Sequence, residues 1–175
     1  PSDQIVAVEA GITLAALQRH LAPHRQRLSI DPPFPERATV GGIVAASAFG
    51  PLRTRYGSPR DLVIGITLVR ADGVVAHGGG KVMKNVAGFD LPRLLCGSLG
   101  TLGLVAEVVF RLHPLPEASA TARFDGLSAE DVAETVPVLR GLGVEPTALA
   151  AVEAGGAFAL AAGQACEALR DRVDA

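Results

Sequence analysis

The first third of the chain alternates short apolar stretches with polar breaks, and their spacing predicts a strand, a helix and a second strand in turn. Ile5–Glu9 is rich in β-branched residues, which favours a strand. A helix is predicted to begin after Thr13 and to end at Pro23, because leucines recur there at helical spacing. These leucines are Leu14, Leu17 and Leu21. Residues 28–30 are predicted to form the second strand.

A glycine-bearing helix is predicted next. Residues 31–35 read Asp-Pro-Pro-Phe-Pro, a stiff and extended run that leads to the helix start at Thr39. Thr39 is a good N-cap, and Gly41 and Gly42 leave backbone amides uncovered by side chains. Such a start suits an anionic group such as a pyrophosphate, whereas the alternative is close packing of the helix on a neighbour. Short glycine motifs are too frequent for this stretch alone to decide between the two.

An antiparallel hairpin is predicted in the middle of the chain. Residues 62–71 and 74–77 are two apolar stretches joined by Asp72-Gly73, a typical hairpin turn. The preceding residues, 53–61, are predicted to be a loop with three arginines: Arg53, Arg55 and Arg60. These could neutralise a phosphate or an acidic partner, although a solvated loop is the more frequent case.

A short helix and a glycine-rich turn follow the hairpin. Asp90 is predicted to cap the helix, Pro92 fits its first turn, and its apolar face is predicted from Leu91, Leu94 and Leu95. Residues 97–103 contain three glycines and run into an alternating strand over residues 104–112. A tight turn of this kind lets the backbone approach a ligand or another backbone closely.

The pattern restarts after Pro114 and Pro116, which mark a domain boundary. A strand over residues 120–124 precedes a capping box at Ser128 and a helix that Pro137 is predicted to interrupt. A hairpin over residues 147–162 and a final helix over residues 164–173 complete a βαββα unit. This order predicts the first part of a second, α+β domain.

Composition and charge exclude several functions. The net charge is −2 without a lysine-rich block, so nucleic-acid binding has no electrostatic support. The two cysteines give no disulfide framework, and the cysteines and four histidines have no metal-binding spacing, so no metal is expected. The longest apolar run is broken by Glu153 and by glycines, which argues against a membrane span and for a cytoplasmic protein.

Five sequence blocks, taken in their order and spacing, resemble the FAD-binding domain of the vanillyl-alcohol oxidase and p-cresol methylhydroxylase (PCMH) family. The resemblance extends over residues 5–114, about two thirds of the chain. The blocks are residues 8–11 (Val-Glu-Ala-Gly), 38–42 (Ala-Thr-Val-Gly-Gly), 55–57 (Arg-Tyr-Gly) with Asp61, 84–91 (Lys-Asn-Val-Ala-Gly-Phe-Asp-Leu) and 97–103 (Gly-Ser-Leu-Gly-Thr-Leu-Gly).

The resemblance implies an α+β fold. Residues 1–116 are expected to form the FAD-binding PCMH-type domain, represented by its second α/β subdomain with a mixed or antiparallel sheet. Residues 117–175 are expected to form part of an α+β cap domain. Family members have a first pyrophosphate loop upstream of residues 8–11, and the sequence shows no counterpart to it. This chain is therefore expected to bind FAD weakly or not at all on its own.

Within the family the chain is most similar to the small FAD-binding subunits of bacterial glycolate oxidases. Leu99 and Ser47 stand where the catalytic members typically carry Glu and Asn, and Phe89 replaces a common Tyr. The resemblance implies an FAD-dependent oxidoreductase acting on the CH–OH group of 2-hydroxy acids, in which this subunit transfers electrons. The implied partners are a large flavoprotein subunit and an iron–sulfur subunit, through which the protein can associate with a membrane. A self-sufficient hydroxy-acid dehydrogenase and a flavin-free scaffold subunit are the alternatives.

The resemblance also implies the cofactor-binding residues, whereas no catalytic residue is assigned. Residues 38–42 would lie along the pyrophosphate and ribityl chain, residues 45–50 would line the flavin, and residues 103–105 would meet the adenine end through backbone groups. Lys84 and Asn85 would stabilise the reduced, anionic flavin. The full set is Pro32, Ala38, Thr39, Val40, Gly41, Gly42, Ala45, Ser47, Gly50, Gly57, Lys84, Asn85, Gly103, Leu104 and Val105.

Overall fold

The computed structural model describes residues 4–80, 90–141, 146–154 and 157–164. The strands are β1 (Ile5–Glu9), β2 (Gln26–Arg27), β3 (Val63–Val69), β4 (Val75–Gly79), β5 (Leu104–Arg111), β6 (His113–Pro114), β7 (Ala120–Leu127), β8 (Ala148–Ala154) and β9 (Ala157–Gln164). The α-helices are α1 (Leu14–Leu21), α2 (Val40–Ala46), α3 (Arg53–Tyr56), α4 (Pro59–Leu62), α5 (Leu91–Leu95) and α6 (Ala129–Gly141).

The chain divides into two units, and the first contains residues 1–50 and 56–115. Its main sheet has four strands in the order β1-β5-β3-β4, and all of its pairings are antiparallel. β2 and β6 form a separate two-stranded ribbon. The α+β class and the antiparallel hairpin of β3 and β4 are thereby confirmed.

The core of this first unit lies between the sheet and the helices. The three leucines of α1 are at most 2% exposed, and so are Val40, Ile43 and Val44 of α2. Thr13 caps α1 by accepting a hydrogen bond from the Ala16 amide, as predicted from the sequence. The buried leucine face and the Thr13 cap both stabilise α1, and burial of the face supplies most of the stability of so short a helix.

The alternation predicted for β5 is broken by a bulge. Thr67 of β3 pairs with Glu107, but the next residue, Leu68, pairs with Val105, so Ala106 is an extra residue on β5. As a result Val105 and Val108, which a strict alternation would place on opposite faces, both belong to the core.

The second unit contains residues 51–55 and 116–175. Its three-stranded antiparallel sheet has the order β7-β9-β8, and the predicted hairpin is formed by β8 and β9. The capping box of α6 is present, because Ser128 and Asp131 exchange hydrogen bonds between side chain and backbone. α6 has no buried residue. The helix predicted over residues 164–173 lies outside the described residues, apart from Gln164, which ends β9.

Two predictions of local structure were wrong, one because of a tertiary contact and the other because of a local helix cap. Residues 28–30 are not a strand: the Gln18 amide group bonds both the N–H and the C=O of Leu28, so these backbone groups are satisfied without a sheet. Residues 53–61 are not a loop but contain the single-turn helices α3 and α4, the second of which begins at a capping box formed by Ser58 and Asp61.

Three further details differ from the sequence prediction. Leu94 is 60% exposed, so the inward side of α5 consists of Pro92, Leu95 and the partly buried Leu91. Pro137 does not interrupt α6, because a proline removes one backbone donor without ending a helix that continues on both sides. The predicted helix start at Thr39 is present, but α2 ends at Ala46, before Gly50. Among the described residues, no helix is long and apolar enough to cross a membrane.

Candidate functional site

The start of α2 is held by its cap and by the chain that precedes α1. The Thr39 hydroxyl accepts a hydrogen bond from the Gly42 amide at 3.3 Å. The Val40 amide donates to the Ile12 carbonyl at 2.9 Å, and the Gly41 amide donates to the Ala10 carbonyl at 2.8 Å. These three amides therefore have partners within the protein. A ligand lying along residues 38–42 would contact other parts of this backbone.

Four of the predicted glycines are required by close contacts within the chain. A Cβ atom at Gly41 would lie 2.8 Å from the Ala10 Cβ, and one at Gly103 would lie 2.7 Å from the Val69 carbonyl oxygen. One at Gly50 would overlap the Asp31 carbonyl, and one at Gly57 would lie 2.6 Å from Asp61 Oδ2. Close packing thus accounts for these glycines, and their assignment to the cofactor stays a prediction.

Gly42 and two glycines of the turn after α5 have open surroundings. At Gly42, a Cβ atom would have only Thr39 Oγ1 within 4 Å among the described residues, at 3.1 Å. At Gly97 the nearest atom is the Ser47 Cβ at 3.7 Å, and at Gly100 no described atom lies within 4 Å. Positive φ angles favour glycine at Gly97 and Gly100, and a Cβ atom at Gly42 would crowd the Thr39 hydroxyl. The described residues nonetheless leave the backbone uncovered at these positions, so a ligand can approach it.

The turn after α5 docks on the carboxyl end of α2. The Gly97 amide donates to the Val44 carbonyl at 3.0 Å, and the Leu99 amide donates to the Ala45 carbonyl at 2.8 Å. Ser47 is the C-cap of α2, and its φ of 49° is in the left-handed region. Two segments that are far apart in the sequence therefore form one surface, in which Ala45 and Ser47 lie beside the open Gly97.

An unsatisfied hydroxyl accompanies this surface. Ser98 Oγ is buried and has no hydrogen-bond partner among the described residues. A buried polar atom without a partner is uncommon in folded proteins, and a bound polar group is one way to satisfy it. The small residues, the open backbone at Gly42, Gly97 and Gly100, and this hydroxyl fit a large polar ligand with a flat ring.

The remaining predicted residues occupy varied environments. Pro32 is buried beside the Asp31–Gly50 contact, and Ala38 is half-buried, with its carbonyl accepting from the Leu14 amide. Leu104 is 70% exposed, whereas the Val105 side chain belongs to the core, so only backbone atoms of Val105 remain for a ligand. Lys84 and Asn85 lie outside the described residues.

Two ionisable groups near the site have altered pKa values, and both are explained by structure. The Ser58 amide and hydroxyl each donate to Asp61, which lowers the pKa of that carboxyl and fixes the turn at Gly57. Burial raises the pKa of the Cys96 thiol to about 11, so this cysteine remains protonated at neutral pH. The Cys96 thiol is therefore a packing group rather than a nucleophile.

One cluster was not found from the sequence. Arg27, Tyr56 and His113 stack together in the first unit, although they are far apart in the chain. No local spacing signals this, because the contact arises from the pairing of β2 with β6, which places Arg27 opposite His113.

Comparisons with known proteins agree with the sequence blocks. Residues 1–79 match the family model of an FAD binding domain. The chain is 40% identical over 124 residues to the glycolate oxidase subunit GlcE of Escherichia coli, covering 70% of this chain and 35% of that protein. It is 36% identical over 132 residues to the mitochondrial D-lactate dehydrogenase (cytochrome) of Arabidopsis thaliana, covering 75% of this chain and 23% of that protein. The chain thus spans about a third or less of the length of these relatives.

The fold agrees as well. A solved structure of alkyldihydroxyacetonephosphate synthase superposes with a TM-score of 0.77 at 20% identity, covering 93% of this chain and 35% of that chain. The bacterial subunit GlcD of Bacillus subtilis glycolate oxidase is 42% identical over 108 residues, which are 61% of this chain and 23% of that protein. The chain belongs to the family of PCMH-type FAD binding domains.

Proposed function

We propose that this chain is the FAD-binding part of a 2-hydroxy-acid oxidoreductase of the glycolate oxidase type, and that it transfers electrons within a complex. The observation that carries the proposal is the single surface made by the carboxyl end of α2 and the turn after α5. The turn after α5 is one of the sequence blocks of the family and α2 begins in another, and the described residues leave the backbone uncovered at Gly97 and Gly100.

The residues of this chain would bind and orient the flavin. Bound FAD supplies the capacity to accept two electrons from an alcohol that is being oxidised. Ala45, Ser47 and Gly97 are small, so a flat ring can approach the backbone there. Gly42 leaves the α2 backbone open to the rest of the cofactor. Lys84 and Asn85 are proposed to lie near the ring, where a cation and an amide would favour its reduced, anionic form.

Leu99 favours electron transfer over independent substrate oxidation. Its side chain is 75% exposed, at the position where the sequence block of catalytic family members typically has Glu. An exposed leucine offers neither a proton acceptor nor a charge to a hydroxy acid. We therefore propose that substrate is oxidised on a large flavoprotein subunit, with an iron–sulfur subunit as a further partner, and that residues 117–175 begin an α+β cap domain.

The visible absorption spectrum of the full-length protein tests this proposal. The protein is purified alone and together with a neighbouring flavoprotein subunit, and glycolate or D-lactate is added without oxygen. Flavin bands that bleach only in the co-purified sample are expected. Bleaching of the lone protein would identify a self-sufficient dehydrogenase, and two colourless samples would identify a flavin-free scaffold.

A pair of variants tests the site itself. Gly42→Val places a branched side chain on the open backbone of α2 and is expected to reduce the flavin content of the full-length protein severalfold. Gly141→Val makes the same change at the end of α6, where no described atom lies within 4 Å, and is expected to leave the flavin content unchanged. Equal flavin content in both variants would remove residues 38–42 from the site.

A further inference from the structure

A stack of one arginine, one tyrosine and one histidine connects the β2–β6 ribbon to the end of α3. The Arg27 guanidinium lies 5.1 Å from the centre of the Tyr56 ring and donates to the Tyr56 hydroxyl at 2.9 Å. The Tyr56 and His113 rings are 4.6 Å apart between centroids. Arg27 and His113 are directly paired across the ribbon. Arg111, at the end of β5, precedes His113 by two residues and acts on the His113 ring through its positive charge. We call Arg27, Tyr56, Arg111 and His113 the ribbon cluster.

Three nitrogen atoms of the ribbon cluster are buried without a partner. Arg27 Nε, Arg111 Nε and His113 Nδ1 are shielded from solvent, and none forms a hydrogen bond with a described residue. An unsatisfied buried polar group is unfavourable, and more so when it is charged. Both Nε atoms carry N–H groups that can only donate, so what this location lacks is an acceptor.

The charge of the ribbon cluster is also uncompensated. Among the described residues neither Arg27 nor Arg111 forms an ion pair, whereas Arg19, Arg70 and Arg93 each pair with a carboxylate. The pKa of His113 is lowered by burial and by the positive charges of Arg111 and Arg27. Two partly buried guanidinium groups without a counter-ion are unfavourable, and an oxyanion with several acceptor atoms would relieve both the charge and the missing acceptors.

We propose that the ribbon cluster binds a phosphate-class oxyanion, either free or as a phosphomonoester. Arg27 and Arg111 donate to it, Tyr56 holds the Arg27 guanidinium in place, and the His113 imidazole lies beside it. The proposal does not depend on the flavin, because the ribbon cluster shares no residue with the surface formed by α2 and the turn after α5. A buried water could also satisfy one of these nitrogens, but it would leave the two positive charges in place.

Calorimetric titration of the full-length protein with inorganic phosphate tests the proposal. The ionic strength is held constant by replacing sodium chloride, so that a general salt effect does not count as binding. We expect saturable binding that Arg27→Gln and Arg111→Gln each weaken by about tenfold or more, as for loss of a hydrogen bond to a charged group. Arg70→Gln removes an exposed arginine at the β3–β4 turn and is expected to bind phosphate as the native protein does.

A titration with AMP distinguishes the two sources of the oxyanion. Tighter binding of AMP than of inorganic phosphate indicates a phosphomonoester, and equal or weaker binding of AMP indicates the free ion.

A second measurement does not depend on the stability of the variants. In the native protein, the NMR signal of the His113 ring is followed against pH with and without phosphate, after assignment with His113→Asn. A bound anion is expected to raise the pKa of His113, since it stabilises the imidazolium. Absence of saturable binding, or binding that leaves the His113 titration unchanged, would overturn the proposal. Loss of flavin from a folded Arg27→Gln variant would also overturn it, because the ribbon cluster would then belong to the cofactor site.

Discussion

At the scale of single residues, Gly50 and Gly11 differ in the space available for a Cβ atom. At Gly50 a Cβ would overlap the Asp31 carbonyl and lie 2.6 Å from Asp31 Oδ1, whereas at Gly11 no described atom lies within 4 Å. We expect Gly50→Ala to lower the free energy of unfolding by about 2 kcal/mol, because backbone must move to admit the methyl group. Gly11→Ala is expected to change it by less than about 0.5 kcal/mol. Urea denaturation measures both, and a Gly50→Ala variant as stable as Gly11→Ala would contradict the described contact.

His113 makes stability depend on pH. Burial and the positive charges of Arg111 and Arg27 hold its pKa below the ordinary value of 6.5, so the folded state favours the neutral ring. The unfolded chain binds the proton first as the pH falls, and the free energy of unfolding therefore decreases below pH 6.5, by at most about 1.4 kcal/mol per pH unit. The decrease ends once the pH is below the folded-state pKa.

The control for this pH dependence is His113→Gln, which removes the titrating ring. Thermal denaturation between pH 7.5 and 5, in a buffer without phosphate or sulfate, should show a smaller loss of stability for His113→Gln than for the native chain. Parallel curves for the native chain and His113→Gln would show that the ring does not contribute.

At the scale of secondary-structure elements, Gln18 attaches α1 to the segment that follows β2. Its amide group donates to the Leu28 carbonyl at 2.6 Å and accepts from the Leu28 amide at 3.2 Å, while Leu28 is fully buried. Gln18→Met keeps the length of the side chain but leaves the Leu28 N–H without a partner, while the Leu28 carbonyl keeps only its bond from the Ile30 amide, so we expect a loss of about 2 kcal/mol. Arg19→Met, on the exposed side of α1, should cost much less. Similar urea midpoints for the two variants would contradict this role of Gln18.

The sequence predicted those elements whose signals are local. Thr13, Thr39 and Asp90 each cap a helix because the bonded amide is only three residues away. The prediction of a strand at residues 28–30 was wrong because the side chain of Gln18, ten residues before Leu28, supplies the hydrogen-bond partners that a neighbouring strand would have supplied. The bulge at Ala106 could not be predicted either, since it depends on the register between β3 and β5 rather than on the sequence of β5.

In the candidate site, too, local signals could be predicted from the sequence and tertiary contacts could not. The order of the glycine-rich blocks indicated the family, but it did not separate glycines needed for packing from glycines that leave backbone open. Gly41 and Gly42 are adjacent in the sequence, yet only Gly41 contacts Ala10. The ribbon cluster was missed for a related reason, because its residues come together only through strand pairing.

At the scale of the whole chain, the two units differ in the burial of those side chains that the structure describes. All of the buried hydrophobic residues found in the described part of the chain lie in the first unit, and α6 of the second unit buries none of its side chains. The two units also have separate sheets. Because burial of apolar surface is the main source of stability, we expect the second unit to unfold at a lower urea concentration.

Tyr56 allows this expectation to be tested, since it is the single tyrosine of a chain without tryptophan. It lies in the first unit and stacks on His113, so tyrosine fluorescence reports the unfolding of that unit alone. Circular dichroism at the helix and strand bands reports both units. We expect the dichroism of the 175-residue chain to begin to change at lower urea than the fluorescence, whereas coincident curves would show that the chain unfolds as one cooperative unit. Ser128→Ala removes the capping box of α6 and should shift only the earlier transition, which assigns that transition to the second unit.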